Sequence, residues 1–69
     1  MKFFATFING SAFQGCIQPV WAENKDQAER LVKIEFDSRD INEIHSSQTG
    51  RTIMENRGFV PLDAIGVED

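Results

Sequence analysis

The chain has one cysteine, one histidine, two prolines and no tyrosine among its 69 residues. A lone thiol, Cys16, forms no internal disulfide, and Cys16 with His45 falls short of the four ligands of a structural zinc site. No run is apolar for long enough to cross a bilayer. Lys2 is followed by neither a long apolar stretch nor a small-residue cleavage site, so no signal peptide is expected. The expected compartment is the cytoplasm, where a reduced thiol is ordinary. A chain this short makes one domain, residues 1–69, and buries only about 60% of the surface its unfolded form exposes. A core of this size rarely supplies more than about 3–5 kcal/mol without a staple. Stability must come from packing, and self-association is one way to add to it.

Positive charge is also scarce. The net charge is −4, and it is unevenly placed. Residues 1–22 carry one charged side chain, Lys2, whereas residues 37–69 set three arginines against seven carboxylates. Such a field repels phosphate, so direct nucleic-acid binding is disfavoured.

What is present is aromatic and β-favouring. "KFFATFIN" stops at Asn9-Gly10, a pair suited to a tight hairpin because both turn positions need positive φ. "AFQGCIQPVWA" supplies the returning strand. Pro19 lacks a donor N–H, which places that part of the strand at an edge or a bulge. With Asn9 and Gly10 as the two turn residues, Phe3 lies opposite Cys16 and Ala5 opposite Gln14. Phe3, Ala5 and Phe7 then share a face with Cys16, Val20 and Ala22. Phe4 and Ile8 share the other face with Phe13, Ile17 and Trp21.

The stretch "VWAENKDQAERLVKIEF" turns from strand to helix. Asn24 is a good N-cap, Gln27 can reach back as in a capping box, and Asp26 puts negative charge in the first turn. Ala28, Leu31, Val32 and Phe36 recur at helical spacing, and Glu29 and Lys33 are spaced to pair outside. The stripe is expected to lie on the Phe3–Phe7 face of the hairpin.

After residue 37 the turn signals are Thr49-Gly50 and Asn56-Arg57-Gly58. Ile41 and Ile44 suit a helical turn or an irregular strand. Ile53-Met54 and Phe59-Val60 read as two short strands, Pro61 blocks the ladder, and Ile65 and Val67 mark a final short strand. The expected fold is α+β: an antiparallel sheet of four to five short strands with one amphipathic helix on one face, in the order β-β-α-β-β.

One helix covers one face. The second face is then either closed by the C-terminal segment, through Phe59, Leu62 and Ile65, or left for a partner. A large open apolar patch on a monomer is unusual, so Phe4, Phe13 and Trp21 are candidate partner-binding residues.

Catalytic material is thin. Cys16 reads as a small buried hydrophobe in a strand and His45 as a surface or loop residue, with no third group to orient a pair. Nothing fixes Glu55 and Asp63 at a distance suited to paired carboxylates. "SSQTGRT" has one glycine and no lysine, so it lacks the signature of a phosphate loop and reads as a solvated turn, and Arg51 and Arg57 read as exposed turn arginines. No enzymatic activity, cofactor or metal is expected. Aromatics on an open sheet can stack bases, so a small RNA-binding sheet is an alternative, but the rings come with almost no cations.

The positions Val20, Ala22, Asn24 and Ala28 in "VWAENKDQAERLV" follow a V-x-A-x-(S/N)-x-x-x-A pattern. This hairpin–helix segment, about a fifth of the chain, resembles small phage and mobile-element proteins of the DpnD/PcfM group, and it is similar to a segment in some small anti-CRISPR proteins. The resemblance implies a compact, non-enzymatic inhibitor that occupies the surface of a host defence or nucleic-acid-handling complex such as CRISPR-Cas. An acidic second half could compete for a basic nucleic-acid channel, which makes Asp37, Asp40, Glu43, Glu55 and Asp63 further candidate partner-binding residues. The expected partner is a host protein or protein complex. The plainer alternative is a homodimeric α+β domain.

Overall fold

The structure, a computed structural model, describes residues 1–67. The elements run β1 (Lys2–Phe7), β2 (Cys16–Trp21), α1 (Lys25–Glu35), a 3-10 turn (Ser38–Asp40), β3 (Ile41–Ser46), α2 (Ser47–Arg57), β4 (Val60–Pro61) and β5 (Ile65–Gly66). The fold is α+β, but with two helices and a mixed sheet. Strand order is β3-β1-β2-β4, with β5 also on β2. β1 runs antiparallel to β2 and β3, while β4 and β5 pair with β2 in parallel. The antiparallel β-β-α-β-β expectation therefore needs correcting in its second half.

The hairpin forms with a longer connection than two residues. β1 ends at Phe7 and β2 begins at Cys16, and the loop between them is braced by Gln14 Oε1, which accepts from the Gly10 N–H at 2.8 Å. Val20, not Cys16, now stands opposite Phe3, and Gln18, not Gln14, opposite Ala5. Each partner moves four residues along β2. Because four is even, every side chain keeps its face. Phe3, Ala5, Val20 and Ala22 pack as expected with Ala28 and Val32, joined by Ile44, and Leu31 and Phe36 close over them. Phe13 is the exception: it sits in the loop, outside the ladder, so strand alternation does not decide its side. Its ring packs on Phe7 and Phe36, with centroids 5.2 and 4.8 Å away. That is the α1 side, not the Phe4 side.

α1 starts as its sequence indicates. Asn24 Oδ1 accepts from the Gln27 N–H at 2.8 Å, and the Gln27 side chain returns to accept from the Glu23 N–H at 2.6 Å, one residue before the cap. Glu29 and Lys33 approach to 3.8 Å on the exposed side.

α2 replaces an expected turn and an expected strand. Thr49-Gly50 and Ile53-Met54 all lie within it. Ser46 caps its start by accepting from the Thr49 N–H, and Gly58 ends it at φ 65°, a left-handed conformation that favours glycine. Gly50 is buried against Phe4, and a β-carbon there would collide with the Phe4 ring. Phe3 and Phe4 point to opposite faces, so α1 and α2 cover opposite sides of the sheet.

Topology accounts for this arrangement. Connections between parallel strands keep one hand almost without exception. The chain crosses β1 in one direction through β2–α1–β3 and returns in the other through β3–α2–β4. Two crossovers of the same hand that run in opposite directions must lie on opposite faces. The sheet's second face is thus closed by the chain itself, chiefly by α2 and not by the C-terminal segment; Ile65 packs instead on the α1-side core.

β4 and β5 form a single interrupted strand along β2. Leu62 N–H donates to the Ile17 carbonyl at 2.9 Å, so by alternation Pro19 faces the same edge and falls in the gap between β4 and β5. Gln18, 2% exposed, bridges that gap: its Nε2 donates to the carbonyls of Pro19 and Asp63 at 2.8 and 2.6 Å.

Candidate functional site

The sheet has two outer edges, and they differ. On one side, the Val60 and Leu62 N–H groups both donate to β2, so the nitrogen of Pro61 faces outward, where it has no hydrogen to offer. With only two residues in each piece, this edge is blunted. On the other side lies β3, six residues long, with no proline.

The direction of β3's backbone follows from the ladder. The odd residues of β2 face β4, so Gln18 and Val20 face β1, and their partners Ala5 and Phe3 face β2. Phe4 and Thr6 therefore face β3 and pair with His45 and Glu43. The Ile8 N–H, which donates to Asp40 O at 2.9 Å, fits the same alternation. Ile44 lies between His45 and Glu43, so its N–H and C=O point to the open edge. The register shifts between Thr6 and Phe7, and the extra β3 residue of this bulge explains how Ile41 and Ile44, three apart, both reach the α1-side core.

Beside β3, on the α2 face, is a cleft of about 670 Å³. Its wall includes Thr6, Asn42, Glu43, His45, Arg57 and Phe59, with loop amides from Asn9 and Gln14. His45 is not a surface residue: its side chain is 11% exposed. Nε2 lies 3.0 Å from Thr6 Oγ1, and Nδ1 lies 3.8 Å from Glu43 Oε2, too far for a hydrogen bond. Burial pushes the imidazole below its usual pKa. Glu43 pulls it partly back, and Lys25 and Arg57 lower it further. Arg57 also sits over the Phe59 ring, 6.0 Å from its centroid. Such a wall can bind polar side chains through amides, a neutral imidazole and one guanidinium. Among the described residues no group of three or more His, Cys, Asp and Glu could hold a metal ion.

The expected contact residues are dispersed. Phe4 is 2% exposed beneath α2, so it meets no partner unless that helix moves. Phe13 belongs to the aromatic trio on the α1 side. Trp21, like Phe13, is half-buried, and Lys2 Nζ lies 5.3 Å from its ring centroid. There is no continuous row of open rings. Nor do the five carboxylates share one face. Asp37 is already bound to Arg39 at 2.9 Å, and those hydrogen bonds hold its carboxyl below the usual range. Asp40 and Glu43 flank the β3 edge, Glu55 is exposed on α2, and Asp63 lies at the opposite edge. Three strand spacings, about 14 Å, separate those edges. Cys16 and His45 sit on opposite faces with β1 between their strands.

Sequence reading missed Thr6 and His45 as neighbours. The available signal was Glu43-x-His45, whose alternation puts both on one face once β3 is a strand. Compared with protein-family models, curated proteins and solved structures, the chain matches none. No helix among the described residues is long and apolar enough to cross a membrane.

Proposed function

We propose that this chain is a small protein-binding module, without catalysis of its own, that accepts an extended segment of a partner along β3. The observation that carries this reading is the Ile44 backbone pair facing the open edge of a six-residue strand. Strand addition draws affinity from main-chain hydrogen bonds and selectivity from pockets that take alternate side chains. The cleft at His45 supplies such a pocket on the α2 face.

Thr6 and His45 serve as a structural lock in this reading. Thr6 is 4% exposed within the sheet, and the gap from His45 to Glu43 is too long to orient the imidazole for base catalysis. The sharper form of the proposal follows the resemblance of the Val20–Ala28 segment: the partner is a host defence or nucleic-acid-handling complex, blocked by occupation of its surface.

Amide exchange in dilute protein tests the edge directly. The Glu43 and His45 amides, bound to β1, should exchange slowly and the Ile44 amide fast. A captured partner should slow Ile44. An Ile44 amide already protected in the dilute monomer would remove the basis for strand addition.

A further inference from the structure

Resting on the reading of β3 as an open docking edge, we propose that the segment it accepts is β3 of a second copy of this chain, paired antiparallel about a two-fold axis at Ile44.

Alternation restricts the registers. In a continuous sheet, outward-facing residues pair only with outward-facing residues, and paired side chains must share a face. A two-fold axis perpendicular to the sheet must then pass through a residue, not between two. Within Ile41–Ser46 the choices that pair at least three positions are Asn42, Glu43, Ile44 and His45; an axis at Asn42 pairs only residues 41–43 and is centred on the bulge. An axis at Glu43 sets two carboxylates against each other and draws both bulged residues, 41 and 42, into the ladder, whereas an axis at Ile44 takes in only Asn42, at its end. An axis at His45 pairs only residues 44–46 and leaves Glu43 beyond the strand. An axis at Ile44 pairs residues 42–46, with Ile44 hydrogen-bonded to its copy and Asn42 opposite Ser46.

The same register places Glu43 opposite His45 of the second copy, twice. These are non-hydrogen-bonded positions, where facing side chains come closest. When Thr6 donates to Nε2, Nδ1 carries the hydrogen and is a donor. Its own Glu43 is 3.8 Å away, beyond a good bond, and the Glu43 side chain is 68% exposed and free to reach across. The β3 side chains are self-complementary, as an isologous interface requires. Self-pairing also answers the marginal stability of a chain this short.

Sedimentation equilibrium over a concentration series, with amide exchange on the same samples, tests the proposal. The wild type should form a dimer as concentration rises, and the Ile44 and Ser46 amides should slow in step. Glu43→Lys should weaken association by roughly tenfold, because symmetry doubles each pairwise loss. Glu43→Lys mixed with His45→Glu should restore a heterodimer, since the introduced lysine then faces the introduced glutamate and the native His45 faces the native Glu43. Circular dichroism on each variant confirms that it folds. A wild type that stays monomeric throughout, with a fast Ile44 amide, overturns self-pairing while leaving the edge open to another partner. A dimer whose Ile44 amide stays fast overturns the β3 surface, and one that Glu43→Lys leaves unchanged overturns the register.

Discussion

The two faces of the sheet are closed by different means. On the α1 face, a periodic apolar stripe lies on an apolar strand pair, and the contact is spread over Phe3, Ala5, Val20, Ala28 and Val32. On the α2 face, α2 comes to a near-backbone approach of Gly50 to Phe4, and beside it the sheet itself carries a polar contact between Thr6 of β1 and His45 of β3. The first is built from hydrophobic surface, which tolerates small shifts. The second is built from fit, which does not. A helix can therefore be fixed to a sheet with little apolar periodicity of its own when one position lets the backbones come close.

Truncation on the first face should have the largest effect. Val32, on the sheet side of α1, is fully buried, and Val32→Ala removes two buried carbons and leaves a void. The expected loss is about 2 kcal/mol or more, a large part of what a core this small provides. Urea unfolding followed by Trp21 fluorescence measures it. A loss below about 0.5 kcal/mol would mean that α1 is not the main anchor of its face.

Enlargement on the second face comes next. In an exposed helix, Gly→Ala stabilises by about 1 kcal/mol. At Gly50 the added methyl meets the Phe4 ring near its base, where the side chain has little room to give. Gly50→Ala should therefore destabilise, by about 1–3 kcal/mol of overpacking set against that helical gain. Phe4→Ala removes two of the three nearest atoms, Cγ and Cδ2, so that Gly50→Ala should cost less in that background than in the wild type. Additive losses would show that the helix does not rest on Phe4.

The same contrast explains what could be read in the sequence. The α1 side was legible because its signals are local: an Asn24 cap, a helical stripe, and strand parity that survived a four-residue error in register. The α2 side was not, because Gly50 looks like a turn residue and Ile53-Met54 like a strand until Phe4 supplies the reason for a mid-helix glycine. The bulge between Thr6 and Phe7 likewise belongs to a pairing, not to one segment, and it disguised β3 as a possible helical turn. Phe13 could not be placed by alternation because it lies outside the ladder. Of the candidate contact residues, Glu43 alone lies within β3, with Asp40 just before it, and His45 is its neighbour only when β3 is a strand.

The smallest effect, and the one most specific to the second face, is a dependence on pH. Burial lowers the pKa of His45 in the folded chain, while in the unfolded chain it takes its ordinary value near 6.5. The unfolded state therefore binds more protons in the interval between the two values. The contribution of a neutral His45 is complete above about pH 6.5 and is lost as pH falls through that value toward the lowered one, below which the penalty stays constant. Denaturant midpoints measured from pH 7.5 downward, in protein dilute enough to be monomeric, should fall in this interval beyond any background slope. His45→Gln keeps an amide within reach of Thr6 but does not titrate, so its curve should lack that component. Parallel curves for wild type and His45→Gln would place the imidazole outside the linkage and reduce the Thr6–His45 contact to a neutral hydrogen bond.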